Sequence, residues 1–398
     1  VTPTERPAPP KLRIALILGS LSSFGPITTD LYLPGLPSAA EDLGASQPAM
    51  QATLTACLVG LAIGQIVVGP LSDSIGRRRP MIAGMALFIV SSLLCAVAPS
   101  VYLLDAARLL QGLAGAAGIV LSLAIVRDLF HGVAAARMIA ALMAVSGVAP
   151  IVAPLAGAQL LRVLDWRGLF VVLAVLGVAL LAVAALLVPE TLPTADRRPS
   201  GWRAVGAGYY SLARDRRFVA LTATSGLAFA VMFAYISTSS FVFQDHYGFT
   251  ATQFSVVFAA NAVGLLVTNL IGGRLVGRVS TSVLVWTGLA GMALGSCVAV
   301  LALSADLLPL LVGSLFLAVS SLGLVMPTVA ALALEDHGAL AGTASAALGS
   351  ARFVFGGLAA LVAGIGGNPT VLGVVMVVCA VGALMAFVAA KRAPTAAR

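Results

Sequence analysis

Three charged side chains stand well inside apolar runs of this chain: Asp30, Arg108 and Arg352. Placing a charge in hydrocarbon is costly, so such residues face a wet cavity or one another. Asp30 is the one whose chemistry can do work. A carboxyl whose surroundings alternate between apolar and cationic takes up a proton in one setting and releases it in the other. At about 100° per residue, Asp30 shares a helical face with Ser23, Pro26, Ile27, Leu33 and Pro34. Two further readings stay open for it: a structural salt bridge to a neighbouring helix, or a solvated place near an outer mouth. Arg108 shares its face with Asp105, Gln111, Gly112 and Gly115. Either it lines a cavity and responds to the protonation of Asp30, or Asp105 one turn away neutralises it and it packs the helix. Arg352 has Ser345, Gly349 and Gly356 on its side. It meets an anionic or polar substrate, or it pairs with an acid from elsewhere in the fold.

One apolar run carries Phe229, Phe233, Tyr235, Phe241 and Phe243, and Asn261 lies in the next. Aromatic walls with a few polar groups suit a permissive apolar cavity, although aromatic residues in a membrane helix also face lipid or neighbouring helices. The candidate cavity residues are therefore Asp30, Tyr32, Arg108, Gln111, Tyr235, Asn261 and Arg352. Other chemistries lack their residues. Cys57, Cys95, Cys297 and Cys379 all fall in apolar stretches and read as small hydrophobes rather than disulfide partners. His131, His246 and His337 fall in loops without metal-ligand spacing, so no metal or haem site is expected. With no Cys/His pair and no G-x-x-x-x-G-K-[ST] loop, neither an enzyme nor an ATP-driven pump is expected. A receptor would need a sensing domain, for which the short loops leave no room.

The elements that must position these residues follow from composition. Of 398 residues, 60% are hydrophobic and 10% charged, and mean hydropathy is +1.05. A soluble domain has roughly a quarter of its residues charged. This surface must therefore face lipid. Apolar runs of spanning length fall at 14–38, 50–72, 80–98, 102–126, 134–161 and 168–188. Six more lie at 218–243, 253–276, 282–303, 307–331, 340–365 and 369–390. Lipid offers no partner for loose backbone groups, so the runs should be helices. The fold class expected is an all-α integral membrane protein of twelve helices.

Orientation comes from Lys and Arg. With a cytoplasmic N-terminus, nineteen of the twenty-three basic residues fall in inner loops and tails: Arg6, Lys11, Arg13, Arg77, Arg78, Arg79, Arg127, Arg137, Arg197, Arg198, Arg203, Arg214, Arg216, Arg217, Arg274, Arg278, Lys391, Arg392 and Arg398. Only Arg162 and Arg167 fall outside. The net charge of +8 thus marks loops beside an anionic leaflet, not a nucleic-acid partner. The expected organisation is a cytoplasmic tail at 1–13, a six-helix bundle at 14–188, a cytoplasmic linker at 189–217, a second six-helix bundle at 218–390 and a tail at 391–398. The apolar run after Arg13 is too long for a signal peptide and is interrupted by Asp30, so no cleavage is expected. Gly76 and Arg77 after the second run are echoed by Gly277 and Arg278 after the eighth, which suits two related halves with a path between them.

Between the second and third runs, Gly69, Leu71, Asp73, Gly76, Arg77 and Arg78 stand at the spacing G-x-L-x-D-x-x-G-R-R. Gly69 is read as permitting close helix approach, Asp73 as a partner for a neighbouring arginine, and Gly76 as a sharp turn. The bland reading is a positive topology anchor. This loop resembles the G-x-L-x-D-R-x-G-R-R motif of the major facilitator superfamily, with Ser74 where a basic residue is usual. Arg108, Gln111 and Gly112 resemble the fourth-helix motif R-x-x-Q-G. Gly147, Pro150, Pro154 and Gly157 resemble the fifth-helix motif of antiporters, with Ala149 in place of a glycine; the alternative is a kinked packing helix without a direct role. Trp166 with Arg167, and Pro189 to Leu192, also fit. The run Thr29, Asp30, Leu31, Tyr32, Leu33, Pro34, Gly35, Leu36 and Pro37 narrows the resemblance, as do Arg127, Asp128, Leu129 and Phe130. Both resemble the bicyclomycin/chloramphenicol-resistance (Bcr/CflA) branch of drug:proton antiporters.

The resemblance implies two pseudo-symmetric six-helix bundles in the cytoplasmic (inner) membrane, with the second-to-third loop acting as a latch between them. It implies a monomer that exports small amphipathic compounds by alternating access. A proton gradient would supply the energy, Asp30 would couple it, and no cofactor would be needed. Uptake of a metabolite on the same fold is the alternative.

Overall fold

The computed structural model describes residues 11–197, 202–337 and 340–393. Arg6, Arg198 and Arg398, assigned above to the inner side, lie outside the described residues. Among the described residues, twelve helices are long and apolar enough to cross a membrane. In the first half they are α1 (Lys11–Asp30), α2 (Gln47–Ile75), α3 (Arg78–Ala96), α4 (Val101–Leu129), α5 (Gly132–Leu160) and α6 (Trp166–Leu187). In the second they are α7 (Arg216–Phe241), α8 (Ala251–Leu275), α9 (Thr281–Ser304), α10 (Leu308–Glu335), α11 (Ala341–Ala363) and α12 (Pro369–Arg392). The protein is a multi-pass membrane protein. Side chains cap many of the helices at the ends where hydrocarbon gives way to polar surroundings. Ser46, Ser100, Asp165, Thr250, Ser280 and Asn368 each accept a hydrogen bond from an orphan first-turn N–H.

The packing repeats from one half to the other. In the first half α1 packs on α4 and α5, α2 on α4, and α3 on α4 and α6. The second half repeats this with six added to each number: α7 on α10 and α11, α8 on α10, and α9 on α10 and α12. The halves meet through α2 with α11 and α5 with α8, two pairs that exchange under the same shift. Internal repeats of this kind place a site on the axis between the halves. Glycine makes the tightest helix pair possible. A Cβ on Gly112 of α4 would lie 1.9 Å from the Cys57 carbonyl oxygen of α2, and one on Gly60 of α2 would lie 2.1 Å from the Leu109 carbonyl.

Two features depart from the sequence expectation. The first span is not one rod: α1 ends at Asp30, a tight turn with Pro34 follows at Leu33–Gly35, and a short helix resumes at Leu36–Asp42. Pro34 and Pro37 lack the N–H groups a continuous helix would need. The linker at 189–217, for which the sequence gives no element, contains an amphipathic helix at Trp202–Arg214. Val205, Tyr209 and Leu212 recur at its spacing of four and three, with Leu212 buried and Arg214 at its end.

Candidate functional site

Between the halves lies a chamber of about 370 Å³. From the first half α1 contributes Asp30, α2 contributes Gln65, and α5 contributes Ser146 and Pro150. From the second half come Phe229, Phe233 and Tyr235 on α7, Asn261 on α8, and Arg352 and Phe353 on α11. Asp30 sits at the last position of α1, where the helix breaks, and is only 4% exposed. Among the described residues its hydrogen bond comes from Thr29 Oγ1, which donates to Oδ1 at 3.0 Å, and no cation lies within salt-bridge distance. Facing it from the other half, Asn261 Nδ2 donates to the Tyr235 hydroxyl at 2.8 Å, and the Tyr235 ring stacks on Phe258. Arg352 Nε donates to Ser225 Oγ at 2.7 Å and Nη2 to the Met326 carbonyl at 3.3 Å.

Of the seven cavity candidates the structure thus brings together Asp30, Tyr235, Asn261 and Arg352. Tyr32, Arg108 and Gln111 do not reach the chamber. They form a sealed cluster between α1, α3, α4 and α6. Arg108, 0% exposed, donates from Nη1 to the Thr28 carbonyl at 3.1 Å and to Gln111 Oε1 at 2.6 Å. Gln111 Nε2 in turn donates to Ser92 Oγ at 2.7 Å. The Arg108 guanidinium lies 5.5 Å from the Tyr32 ring and 5.7 Å from that of Phe170. Asp105 does not neutralise it: one Asp105 oxygen, two Arg108 nitrogens and the Tyr32 hydroxyl are buried without a hydrogen-bond partner among the described residues. The aromatic run on α7 is split as well. Phe229 and Phe233 line the chamber, whereas Phe243 packs on Phe249 and Phe254 beyond the end of α7.

The loop between α2 and α3 forms a second polar centre. Arg77 pairs with Asp73 one turn back and with Asp128 at the end of α4, Nε to Oδ2 at 2.9 Å. Asp128 also accepts from Thr191 Oγ1 at 2.8 Å. Glu190 accepts from the backbone N–H of Arg77 at 2.8 Å and lies 3.7 Å from Arg197. Burial opposes ionisation of Glu190, but the N–H groups of Arg77, Leu192 and Arg78 and the charge of Arg197 outweigh it and hold the carboxyl below its ordinary value. Arg78 donates to the Ala185 carbonyl of α6. Gly76 has φ +97° at the end of α2, a turn that favours glycine. Gly69 is a correction: a Cβ there would meet only Val120, at 3.9 Å, so no close helix approach depends on it. All of these partners belong to the first bundle or to the start of the linker that follows it. The second half faces them across a cavity of about 380 Å³ lined by Leu340, Thr343 and Ser345, so the loop makes no latch to it among the described residues.

On α5, Gly157 lies against the Leu31 carbonyl just past the end of α1, with an added Cβ at 2.2 Å. The Pro154 carbonyl accepts from Ser255 Oγ of α8 at 3.0 Å, and Gly147 packs on Leu266 of α8. Pro150 lines the chamber. The fifth helix therefore joins the halves as well as bending.

Sequence reasoning missed the residues that close one end of the chamber. Ser240 Oγ donates to the Leu33 carbonyl at 2.7 Å, Gln244 Nε2 to the Pro34 carbonyl at 3.1 Å, and Gln51 Nε2 to Thr238 Oγ1 at 3.2 Å. Beyond this seal lies a vestibule of about 940 Å³ with Glu41, Asp42, Asp165 and Asp245 in its wall. Toward the other end, Gln65, Ile119 and Leu123 stand between the chamber and the cavity beside Asp73, Arg77 and Asp128, and among the described residues no hydrogen bond joins the two walls of that cavity. The available signal was Gln51 and Gln65, polar side chains inside an apolar run that need partners there.

Two repeated bundles around a chamber sealed at one end are the architecture of a membrane transporter. The chain belongs to the Major Facilitator Superfamily, whose sequence pattern matches residues 16–361. It is 39% identical over 381 residues to the uncharacterized MFS-type transporter YdgK of Bacillus subtilis (strain 168), covering 95% of each chain. It is 30% identical over 345 residues to the bicyclomycin resistance protein homolog of Haemophilus influenzae, covering 86% of each. Its fold matches the inward-facing, unoccupied crystal structure of a bacterial homolog of the human lysosomal transporter Spinster, with a TM-score of 0.75 and 15% identity over 98% of this chain and 100% of that one.

Proposed function

We propose that the protein exports small amphipathic compounds across the cytoplasmic membrane in exchange for protons, with both termini and the Arg77 end of the bundle on the cytoplasmic side. In this orientation the sealed end faces outward and the cavity beside Arg77 faces the cytoplasm, the side from which substrate would load. The proton gradient is the energy source, and a single chain contains the whole path. The likeness to a protein named for bicyclomycin resistance supports a drug-like cargo.

The observation that carries the reading is Asp30: a carboxyl on the chamber wall, at a helix break, with one neutral hydrogen-bond donor and no cation beside it among the described residues. Exposed to the outer side, the carboxyl takes up a proton. Once the chamber opens inward, arrival of substrate displaces that proton. Proton and cargo then alternate at one place, and the exchange is obligatory. Transport into proteoliposomes under an imposed pH gradient tests it. Asp30→Asn is expected to abolish gradient-driven accumulation, with thermal unfolding confirming that the variant is folded. If the variant concentrates substrate as the wild type does, Asp30 is not the coupling site. The direction of pH-driven flux in the same vesicles separates export from uptake.

A further inference from the structure

The chamber wall carries two opposite charges that do not meet. Asp30 stands on α1 in the first half and Arg352 on α11 in the second. Among the described residues they are the charged side chains of this wall, and no carboxylate lies within salt-bridge distance of Arg352. The hydrogen bonds of Arg352 go to a hydroxyl and a carbonyl, which orient the guanidinium without neutralising it. Its Nη1 makes no hydrogen bond among the described residues, and the side chain lines the chamber. Beside it stands an aromatic corner. Phe229 meets Phe353 edge to face at 5.5 Å and Phe233 at 4.8 Å.

A guanidinium in apolar surroundings with its outer N–H groups unused recognises a carboxylate or similar oxyanion. The neighbouring rings offer a face for an aromatic body. Charge balance then narrows the cargo. A purely anionic compound on Arg352 would favour protonated Asp30 and so would travel with the proton, contrary to exchange. A cation would leave Arg352 unpaired and repelled. A zwitterion satisfies both walls at once, and its cationic end competes with the proton for Asp30.

We propose that the chamber selects zwitterionic aromatic amphiphiles, the acid held by Arg352, the rings by Phe229, Phe233 and Phe353, and the cationic nitrogen by Asp30. This rests on the exchange reading above and names its substrate class. Arg352 acts as a specificity residue.

Binding without any gradient tests the selection separately from the coupling. Three probes of one skeleton are compared on the purified protein at pH 7: 4′-aminomethylbiphenyl-4-carboxylic acid, its methyl ester and its N-acetyl derivative. These are a zwitterion, a cation and an anion. The zwitterion is expected to bind about tenfold tighter than either relative. Arg352→Gln should erase its advantage over the ester, Arg352→Lys should restore part of it, and Asp30→Asn should erase its advantage over the acetylated acid. Thermal unfolding of each variant confirms that the fold is intact. If the ester binds as well as the zwitterion, or if Arg352→Gln leaves the ranking unchanged, the assignment is wrong. Should the ranking hold while Asp30→Asn still accumulates substrate in proteoliposomes, the coupling reading falls and the selectivity stands. The reverse pair of results removes the selectivity alone.

Discussion

Asp30 and Arg108 lie on neighbouring helices of one bundle, yet they occupy different environments, and each environment decides what its residue can do. Asp30 borders open space; Arg108 is enclosed by Tyr32, Phe170 and the Thr28 carbonyl. An enclosed arginine without a carboxylate is held by cation–π contacts and neutral acceptors, so it stiffens the Pro34 end of the first bundle. Glu190 allows a quantitative test at the same scale. Its folded pKa is depressed below the ordinary 4.5, so it stabilises the fold above that value, and the contribution is lost as pH falls through the folded one. Glu190→Gln should therefore lower the melting temperature at pH 7, and the gap to wild type should narrow steadily below pH 4.5. A gap that stays constant across an acid titration would mean the carboxylate charge is not what holds the α2–α3 loop. The sequence marked all three intramembrane charges, because any charge in an apolar run stands out. It also placed Asp105, Arg108 and Gln111 on one face. Periodicity tells which residues share a face but not what that face meets: of the two readings open for Arg108, packing holds, against α1 and α6, but without the neutralisation by Asp105.

At the scale of elements, lipid made the spans legible: a hydrocarbon-facing helix must be apolar for about twenty residues, and that signal survives any uncertainty about packing. The break at Leu31–Gly35 and the helix at Trp202–Arg214 were less legible, because the first is short and apolar and the second has the composition of a loop. Glycine had a similar ambiguity, since the sequence does not distinguish a glycine that touches a neighbour's backbone from one that borders a cavity. The structure separates Gly112 from Gly69. Gly112→Ala would drive a methyl group into the Cys57 carbonyl, a backbone atom that cannot turn aside. A cost of about 3 kcal/mol is expected, seen as a lower melting temperature and loss of the monodisperse peak in size-exclusion chromatography. Gly69→Ala meets open space, and replacing a helical glycine by alanine there should leave stability unchanged or raise it by up to ~1 kcal/mol. Equal effects of the two substitutions would contradict the packing of α2 against α4 described here.

At the scale of the molecule, the asymmetry of its two ends is the state it occupies. The seal between Leu33–Pro34 and Ser240–Gln244 is made of hydrogen bonds, each contributing roughly 1 kcal/mol net. The opposite end is held apart by a cavity, and the partners of Arg77 stay within the first half. Asp73, 55% exposed, keeps capacity for a second-half donor from the stretch around Thr343 when that end closes. Interconversion is then a competition between two small polar seals, and weakening one should shift the population. With the four native cysteines replaced by alanine and Ala262→Cys as a reporter in the chamber wall, an impermeant maleimide should label mainly from the Arg77 end. Adding Ser240→Ala and Gln244→Ala removes two seal hydrogen bonds, about 2 kcal/mol. The population open at the Pro34 end, and with it the labelling rate from that side, should rise by about tenfold or more. Labelling that does not change would show that apolar packing of α2 on α11 and of α5 on α8 fixes the closed end, and that the hydrogen bonds only follow it.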